Sequence, residues 1–211
     1  NEIVGQLYNF TDKGDRNVSL RPEMTPTLAR MAAAHTRNYK KPIKWFSIPQ
    51  LFRYERQQKG RLREHFQFNA DIIGEEHLAA DAELIALLID TLRDLKLTSD
   101  DFVVRLSSRR AWQDFFGNGG GQEKDAYGFY QLIDKLDRED PAVSGDKLAK
   151  LGFSLEQVND FIESGQPTDE LAGIIGNIGA RGLGGFIKID YRIIRGLAYY
   201  TGPVYEAFDK R

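Results

Sequence analysis

Apolar and polar residues alternate along two neighbouring stretches of the chain, and this period of two predicts β-strands. From residue 61 to residue 72 the odd positions are all polar, whereas the even positions are mostly apolar: Leu62, Phe66, Phe68, Ala70 and Ile72. A second apolar set occupies even positions before it: Phe46, Ile48, Phe52 and Tyr54. We therefore predict one long β-hairpin over residues 43–74, with its turn at residues 57–60. The register that buries both apolar sets pairs even positions with even positions.

Shorter patterns predict the remaining elements. Two short strands over residues 6–10 and 17–20 flank a turn. A helix is predicted from Thr25 to Tyr39, with Thr25 as its N-cap and Pro26 at its first position. A second helix over residues 79–95 is predicted by leucines at helical spacing: Leu84, Leu87, Leu88, Leu92 and Leu95. Further strands are expected over residues 102–106, 186–194 and 204–208, and further helices over residues 127–136, 145–151 and 155–164.

Helical patterns between two glycine-rich stretches set residues 109–185 apart from the strand-rich remainder. This segment holds eight basic and 13 acidic residues, whereas the rest of the chain holds 21 and 18. We predict an α+β fold in three parts: a first part of the core over residues 1–108, a helical insertion over residues 109–185, and a second part of the core over residues 186–211. The glycine-rich loop at residues 117–121 follows no strand of a nucleotide-binding βα unit, so we give it no phosphate-binding role.

Composition narrows the function classes. The 211 residues are 41% hydrophobic and 11% aromatic, which is typical of a globular protein. A formal net charge of −2 excludes binding to nucleic acid by bulk charge alone. The absence of cysteine excludes disulfides, thiolate nucleophiles and cysteine zinc sites, and the three histidines lack metal-ligand spacing, so no metal site is expected. We expect no membrane span and a cytoplasmic location. Because the chain begins with Asn1 rather than Met, we expect it to be part of a longer protein.

The polar face of the hairpin carries a variety of chemical groups. With even positions paired, six side chains that can bind a ligand share this face: Arg53, Glu55, Arg63, His65, Gln67 and Asp71. Arginine suits two-pronged binding of phosphate or carboxylate, and imidazole can stack on a base. These groups predict a site for an anionic ligand that contains a base. An antiparallel sheet with one solvated face, which is the commoner arrangement, also explains the alternation.

Three stretches of sequence stand out together. Residues 20–26 read LRPEMTP, residues 52–67 read FRYERQQKGRLREHFQ, and residues 195–206 read RGLAYYTGPVYE. In order and spacing they resemble the class II aminoacyl-tRNA synthetases, and among these the histidyl-tRNA synthetase family. The resemblance implies an antiparallel sheet flanked by helices, with a helical insertion. It also implies activation of L-histidine by ATP to histidyl-adenylate, transfer to tRNA(His), MgATP as a substrate and not a tightly bound cofactor, and a homodimer when full length.

The resemblance also implies a role for each matching residue. The candidate catalytic residues, which match arginines that hold the α-phosphate and the reacting carboxylate, are Arg53 and Arg195. The candidate ATP-binding residues are Arg53, Glu55, Arg61 and His65. The candidate histidine-binding residues are Glu23, Thr25 and Gln67 for the α-amino group, and Asp71, Tyr199 and Tyr200 for the imidazole pocket. Taken singly, each residue has a simpler, non-functional explanation. Asp71, for example, could serve merely as the ion-pair partner of Arg63 on the same face.

Three positions depart from the family pattern. His65 stands where the family usually has a phenylalanine that stacks on adenine, Ala198 where many members have aspartate, and Gln57 where proline is usual. The family's first motif, its third motif and its anticodon-binding domain are expected outside residues 1–211.

A second class of function fits the same fold: a synthetase-like regulatory subunit of ATP phosphoribosyltransferase, in histidine biosynthesis. Erosion of the catalytic arginines and of the amino-group ligands would favour that alternative. All four of these residues are present here, namely Arg53, Arg195, Glu23 and Gln67, which favours the enzyme.

Overall fold

The computed structural model describes residues 2–56, 58–194 and 201–211, and the chain divides into two compact units, a first unit of residues 1–76 and a second unit of residues 77–211. The strands are β1 (Asn9–Thr11), β2 (Asn17–Ser19), β3 (Ile43–Ser47), β4 (Gln50–Phe52), β5 (Glu64–Phe66), β6 (Asn69–Ile73), β7 (Phe102–Ser108), β8 (Ile187–Ile189) and β9 (Pro203–Asp209). The α-helices are α1 (Glu2–Gly5), α2 (Thr25–His35), α3 (Ala79–Asp94), α4 (Arg109–Asn118), α5 (Ala126–Ile133), α6 (Pro141–Ala149), α7 (Leu155–Ser164) and α8 (Asp169–Ala180). The predicted α+β class is confirmed.

The predicted hairpin and its register are confirmed in the first unit. β3 pairs antiparallel with β6, with Phe46 opposite Ala70, and β4 pairs antiparallel with β5, with Gln50 opposite Phe66. Every pair joins two even or two odd positions, as the alternation predicts. The predicted turn contains Gln57, which lies outside the described residues.

The predicted burial of the hairpin faces is wrong, because the apolar even face is the exposed one. Phe46 is 73% exposed, Leu62 is 70% exposed and Phe66 is 69% exposed. On the odd face, by contrast, Leu51 is fully buried and Ile43 is nearly so. Alternation distinguishes the two faces of a strand, but it does not state which of them another layer covers.

The start of α2 differs from the prediction in its details. The helix begins at Thr25 itself, so the capping position falls on Met24, whose side chain makes no capping hydrogen bond. Pro26 lies within the first turn, where its missing N–H costs nothing. The helix also ends at His35, four residues before the predicted end at Tyr39. The prediction that Thr25 is the N-cap is therefore wrong.

The second unit is built on a three-stranded sheet in the order β8-β7-β9. β7 and β9 are antiparallel, whereas β7 and β8 are parallel, which the sequence pattern did not reveal. The strand predicted over residues 186–194 is shorter than expected, because Asp190 begins a turn. Its carboxylate accepts a hydrogen bond from the Arg192 N–H at 3.1 Å and forms an ion pair with Arg105, whose Nη1 lies 3.1 Å away.

Helix α3 is present as predicted, but it buries a different face. Its buried residues are Ala82, Ile85, Ala86 and Ile89, whereas Leu87 and Leu95 are 39% and 69% exposed. Alanines on this face allow a close approach to α8, where a Cβ atom at Gly173 would lie 3.0 Å from a methyl group of Leu78. Leu88 and Leu92 are partly buried and pack against the core, so the leucine spacing located only the edge of the buried face.

The helices after β7 were predicted in part. α7 occupies the predicted residues, α5 and α6 are shifted by a few residues, and α4 and α8 were not predicted. α8 contains Gly173, Gly176 and Gly179, and each glycine lowers helix propensity by about 1 kcal/mol. The three-part division at residues 109 and 185 stays a prediction.

The glycine-rich loop after α4 packs against aromatic rings. A side chain at Gly119 would overlap the ring of Phe153, and one at Gly121 would overlap the ring of Phe116. Close packing therefore accounts for glycine at these two positions.

Candidate functional site

The odd positions of the hairpin form a row of cross-strand pairs on one face. From the open end toward the turn, the pairs are Trp45 with Asp71, Ser47 with Asn69, Leu51 with His65, and Arg53 with Arg63, the last joined by a 2.9 Å hydrogen bond from the Arg53 N–H to the Arg63 carbonyl. Neighbouring pairs on one face are spaced about 7 Å apart along the strands. The predicted hairpin residues therefore lie on one surface, with a carboxylate at one end and guanidinium groups at the other.

Arg53 is fixed at the point where β4 ends. Its side chain is partly buried, and its Nε–H donates to the Pro22 carbonyl oxygen at 2.9 Å. A guanidinium has five N–H donors, and within the described residues the other four make no hydrogen bond. The group is thus held by the protein and still has donors for an anion.

Glu55 and Arg61 form an ion pair near the turn of the hairpin. Arg61 Nη1 lies 3.1 Å from Glu55 Oε2, and the Arg61 side chain is 62% exposed. Exposed pairs of this kind contribute about 0–1 kcal/mol, so Arg61 can exchange the carboxylate for a phosphate at little cost.

Asp71 is partly buried in β6, opposite Trp45. Its side chain makes no hydrogen bond or ion pair to the described residues, and burial raises the pKa of this carboxyl group above its ordinary value. The simpler explanation that Asp71 pairs with Arg63 does not hold, because Arg63 bonds to the Glu55 carbonyl and stacks on Tyr54. A partly buried acceptor without a partner is suited to a hydrogen-bond donor on a ligand.

Two further predicted residues lie between these ends. His65 is partly buried opposite Leu51. Gln67 has an exposed side chain, and its backbone N–H donates to the Pro49 carbonyl at 3.2 Å. Both side chains are accessible from the same face of the hairpin.

The segment that carries Glu23 and Thr25 is tied to the hairpin. Three hydrogen bonds join them: Phe52 N–H to Arg21 O at 3.0 Å, Arg21 Nε–H to Gln50 O at 2.9 Å, and Arg53 Nε–H to Pro22 O at 2.9 Å. Glu23 follows directly and is partly buried, whereas Thr25 is exposed. The structure therefore brings together the first two of the three conspicuous stretches.

The third stretch falls largely outside the description. Arg195, Ala198, Tyr199 and Tyr200 lie outside the described residues, so their predicted roles stay predictions. The chain that leads to Arg195 is nevertheless well anchored in the second unit. The Tyr191 carbonyl accepts from Trp112 Nε1–H at 2.9 Å, and the Tyr191 hydroxyl donates to the Gln166 carbonyl at 2.6 Å.

Sequence reasoning did not identify these anchoring residues. The ion pair between Arg105 and Asp190 joins residues 85 positions apart, and Trp112 and Tyr191 are 79 positions apart. No local spacing indicates such contacts, because they depend on the order of the strands in the sheet. They hold the chain that leads to residue 194 within the second unit.

A cleft of about 730 Å³ lies in the second unit between α4 and α7. Its walls combine Phe115 and Phe161 with Asp114 and Asp160, and none of the predicted site residues that the structure describes lines it. Over residues 2–56, 58–194 and 201–211 there is no group of three or more histidine, aspartate or glutamate side chains that could hold a metal ion. In the same ranges no helix has the length and apolar character needed to cross a membrane.

The described geometry suits binding and charge neutralisation. Arg53 is fixed through Nε and has further N–H donors without a partner among the described residues, and Arg61 is weakly paired with Glu55. At the opposite end of the row, the Asp71 carboxylate has no hydrogen-bond donor among the described residues. Such an arrangement can hold a phosphate near a cationic or hydrogen-bonding group and stabilise charge that develops between them.

Comparison with known proteins gives a consistent result over the whole chain. A family model described as histidyl-tRNA synthetase matches residues 1–211. The chain is 42% identical over 232 aligned residues to a histidine–tRNA ligase of Opitutus terrae, covering 100% of this chain and 53% of that protein. It is 37% identical over 227 aligned residues to the chloroplastic/mitochondrial histidine–tRNA ligase of Arabidopsis thaliana, covering 100% of this chain and 46% of that protein. The chain thus spans about half the length of the curated relatives it matches.

Solved structures share the fold. A structure described as an ATP phosphoribosyltransferase regulatory subunit/histidyl-tRNA synthetase from Bacillus halodurans matches with a TM-score of 0.80 and 21% identity, over 98% of this chain and 58% of that one. A histidyl-tRNA synthetase from Nostoc sp. PCC 7120 matches with a TM-score of 0.78 and 23% identity, over 95% of this chain and 52% of that one. At these identities the likeness concerns the fold alone.

Proposed function

The chain belongs to the histidyl-tRNA synthetase family, and we propose that the full-length gene product activates L-histidine with MgATP and transfers the histidyl group to tRNA(His). In the first step a carboxylate oxygen of histidine attacks the α-phosphorus of ATP, and pyrophosphate leaves. In the second step the terminal adenosine of the tRNA takes the histidyl group and AMP leaves. Neither step requires a tightly bound cofactor.

The observation that carries this proposal is that the Arg53 side chain is held in place by the protein but still has N–H donors for a ligand. Its guanidinium is fixed through Nε to the Pro22 carbonyl, and its other N–H groups are free within the described part of the chain. Transfer at phosphorus depends on positioning and on neutralising charge that spreads over the phosphate oxygens. We assign Arg53 to the α-phosphate and the histidine carboxylate, together with Arg195.

The histidine substrate is assigned to the open end of the row. Asp71 accepts a hydrogen bond from one imidazole nitrogen, and Tyr200 contacts the other, with Tyr199 beside it. A partly buried acceptor that a wrong amino acid leaves unpaired costs about 1–3 kcal/mol, so Asp71 discriminates against side chains without an N–H. The α-amino group is assigned to Glu23, Thr25 and Gln67.

The ATP substrate is assigned to the turn end of the row. Glu55 orients the adenine, Arg61 contacts the outer phosphates after leaving Glu55, and His65 stacks on the base. The weak pairing of Arg61 at the surface supports this assignment. Mg²⁺ enters with ATP as part of the substrate.

The remaining features follow from membership of the family. We propose the class II reaction geometry, a homodimeric full-length protein and a cytoplasmic location. We also retain the division into a core over residues 1–108 and 186–211 with a helical insertion over residues 109–185. Light scattering on the full-length gene product measures the oligomeric state directly.

The direct test is exchange of radiolabelled pyrophosphate into ATP, measured on the full-length gene product with each of the 20 amino acids in turn. The proposal predicts exchange with histidine and at least 100-fold less with the others, since the imidazole pocket leaves a partner unpaired for them. Charging of tRNA(His) with labelled histidine then tests the second step.

A folded protein that binds histidine without catalysing exchange would overturn the proposal. That result would point to the regulatory-subunit alternative, which the curated relatives do not favour, since they are named histidine–tRNA ligases at 37–42% identity. The next measurement would then be its effect on ATP phosphoribosyltransferase.

A further inference from the structure

Arg63 lies directly across the hairpin from Arg53, yet the two guanidinium groups are bound differently. Arg53 uses only Nε and keeps its other donors free within the described residues. Arg63 Nε–H donates to the Glu55 carbonyl oxygen at 3.0 Å, and its Cζ lies 4.3 Å from the centroid of the Tyr54 ring. Arg63 is therefore bound to the protein at both its edge and its face.

The residues that Arg63 contacts form a tight turn at the end of β4. The Glu55 N–H donates to the Arg53 carbonyl at 2.8 Å, which closes a three-residue turn centred on Tyr54. Tyr54 is anchored on its other side, because its N–H donates to the Gln6 carbonyl at 2.8 Å and its ring meets Tyr8 edge-on at 5.3 Å. The turn thus sets the direction in which the Glu55 carboxylate points.

We propose that Arg63 is a positioning residue, which fixes this turn so that Glu55 and its partner Arg61 face the ATP substrate. The proposal rests on the proposed function and adds a residue to it. A planar guanidinium can donate to the Glu55 carbonyl and lie flat on an aromatic ring at the same time, whereas the compact ammonium of lysine cannot do both. Arginine, and not merely a positive charge, is therefore required at this position.

A direct contact between Arg63 and a phosphate is the competing explanation. The two explanations differ in what Arg63 does before any substrate binds. If Arg63 positions the turn, changing the arginine or removing the ring loosens the Tyr54 and Glu55 amides of the free protein. If Arg63 only binds phosphate, those amides of the free protein are unchanged.

The test uses four variants of the full-length gene product: Arg63→Lys, Tyr54→Leu, Tyr54→Phe and Arg30→Gln. Pyrophosphate exchange gives the KM for ATP, the KM for histidine and kcat. We expect Arg63→Lys and Tyr54→Leu each to raise the KM for ATP about fivefold to tenfold, with the KM for histidine changed less than about twofold. Tyr54→Phe keeps the ring and is expected to behave as the wild type. Arg30→Gln changes an exposed arginine of α2 whose hydrogen bond among the described residues goes to Thr27, and it controls for the effect of changing an arginine outside the hairpin.

An unchanged KM for ATP in Tyr54→Leu would overturn the proposal, as would a parallel rise of both KM values. Hydrogen–deuterium exchange at the Tyr54 and Glu55 amides gives a readout that does not depend on catalysis. Faster amide exchange in Arg63→Lys than in Arg30→Gln supports the positioning role even if the wild type shows no histidine-dependent activity. Equal amide exchange in the two variants contradicts it, whatever the activity.

Discussion

The two units of the chain differ sharply in how their side chains are used. The second unit encloses a dense core with many aromatic rings, in which Trp112, Phe129 and Tyr191 are almost fully buried. In the first unit the buried apolar residues among those described are Ala32, Ile43, Pro49 and Leu51. The first unit instead carries the polar row on the odd face of the hairpin and a set of exposed apolar side chains on its even face.

This difference teaches that packing and candidate chemistry are largely separated along the chain. Polar groups in the first unit remain available to a ligand, since the Asp71 carboxylate and the Arg53 donors other than Nε have no protein partner among the described residues. Substitutions in the buried core of the second unit should therefore act on stability, and substitutions in the hairpin row should act on substrates.

Trp112→Ala is expected to give the largest loss of stability. Trp112 is fully buried, contacts the rings of Phe115, Phe129 and Phe161, and donates to the Tyr191 carbonyl. Removing such a side chain costs about 3–5 kcal/mol of unfolding free energy through lost burial and the cavity that remains. Urea unfolding of the 211-residue chain, followed by circular dichroism, measures the change. A loss below about 1 kcal/mol would mean that the second unit is not tightly packed.

The two tryptophans allow the units to be observed separately. Trp45 lies in β3 of the first unit and Trp112 in α4 of the second, and the chain has no others. In a Trp112→Phe variant, fluorescence reports on Trp45 alone, and in a Trp45→Phe variant on Trp112 alone. The difference in packing predicts that the Trp45 signal is lost at a lower urea concentration than the Trp112 signal. Coincident transitions would show that the units unfold together.

Asp71→Asn is expected to weaken histidine binding while slightly stabilising the fold. Loss of the carboxylate acceptor should reduce histidine affinity by about 1–3 kcal/mol, or roughly 5- to 150-fold, with ATP affinity changed much less. Isothermal titration of the full-length gene product with histidine and with ATP separates the two effects. Equal weakening of both substrates would show that Asp71 has a structural role.

The stability of the same variant should depend on pH with a definite sign. Burial raises the pKa of Asp71 in the folded state, so the native carboxyl group favours folding most below its unfolded pKa. That contribution is lost as the pH rises through the folded pKa. The advantage of Asn over Asp should therefore grow as the pH rises from the unfolded pKa through the folded pKa, and level off above the folded pKa. Unfolding free energies of both chains at several pH values give the difference.

Phe66→Ser is expected to give the smallest effect. The Phe66 side chain is 69% exposed on the even face of the hairpin. Its replacement should change the unfolding free energy of the 211-residue chain by no more than about 0.5 kcal/mol. Thermal unfolding beside Trp112→Ala makes the contrast visible, and a loss of several kcal/mol would show that the even face is covered in solution.

The same contrast explains which parts of the structure could be predicted. The hairpin register follows from alternation, because a shift of one residue would exchange the two faces. Which face is covered depends on other segments, so the burial of Phe46 and Phe66 was predicted wrongly. α7 occupies the residues that its helical pattern predicts, and the structure adds a capping box of Ser154 and Gln157 at its start, whereas glycines within α8 concealed that helix.

The candidate site was predictable only where local sequence carries the information. The candidate residues around Arg53 belong to one uninterrupted stretch of sequence, residues 52–67. They were therefore predicted as a group, and the structure places them on one hairpin. The support that Arg63 gives to Glu55, and Tyr54 to Arg63, depends on the turn after β4, which alternation cannot describe. The ion pair between Arg105 and Asp190 forms because β7 and β8 are neighbours in the sheet, and the sequence pattern does not predict that pairing either.

We expect the polar row of the hairpin to act on the substrates and to contribute little to stability. The most direct test is Arg53→Gln in the full-length gene product, with histidine-dependent pyrophosphate exchange and the unfolding midpoint measured on the same preparation. We predict that exchange falls by about 10²–10³, as for loss of a donor that stabilises transition-state charge, while the midpoint stays close to that of the wild type. Near-normal pyrophosphate exchange would show that Arg53 does not act on the substrates. A loss of exchange that only accompanies unfolding would show that its role is structural.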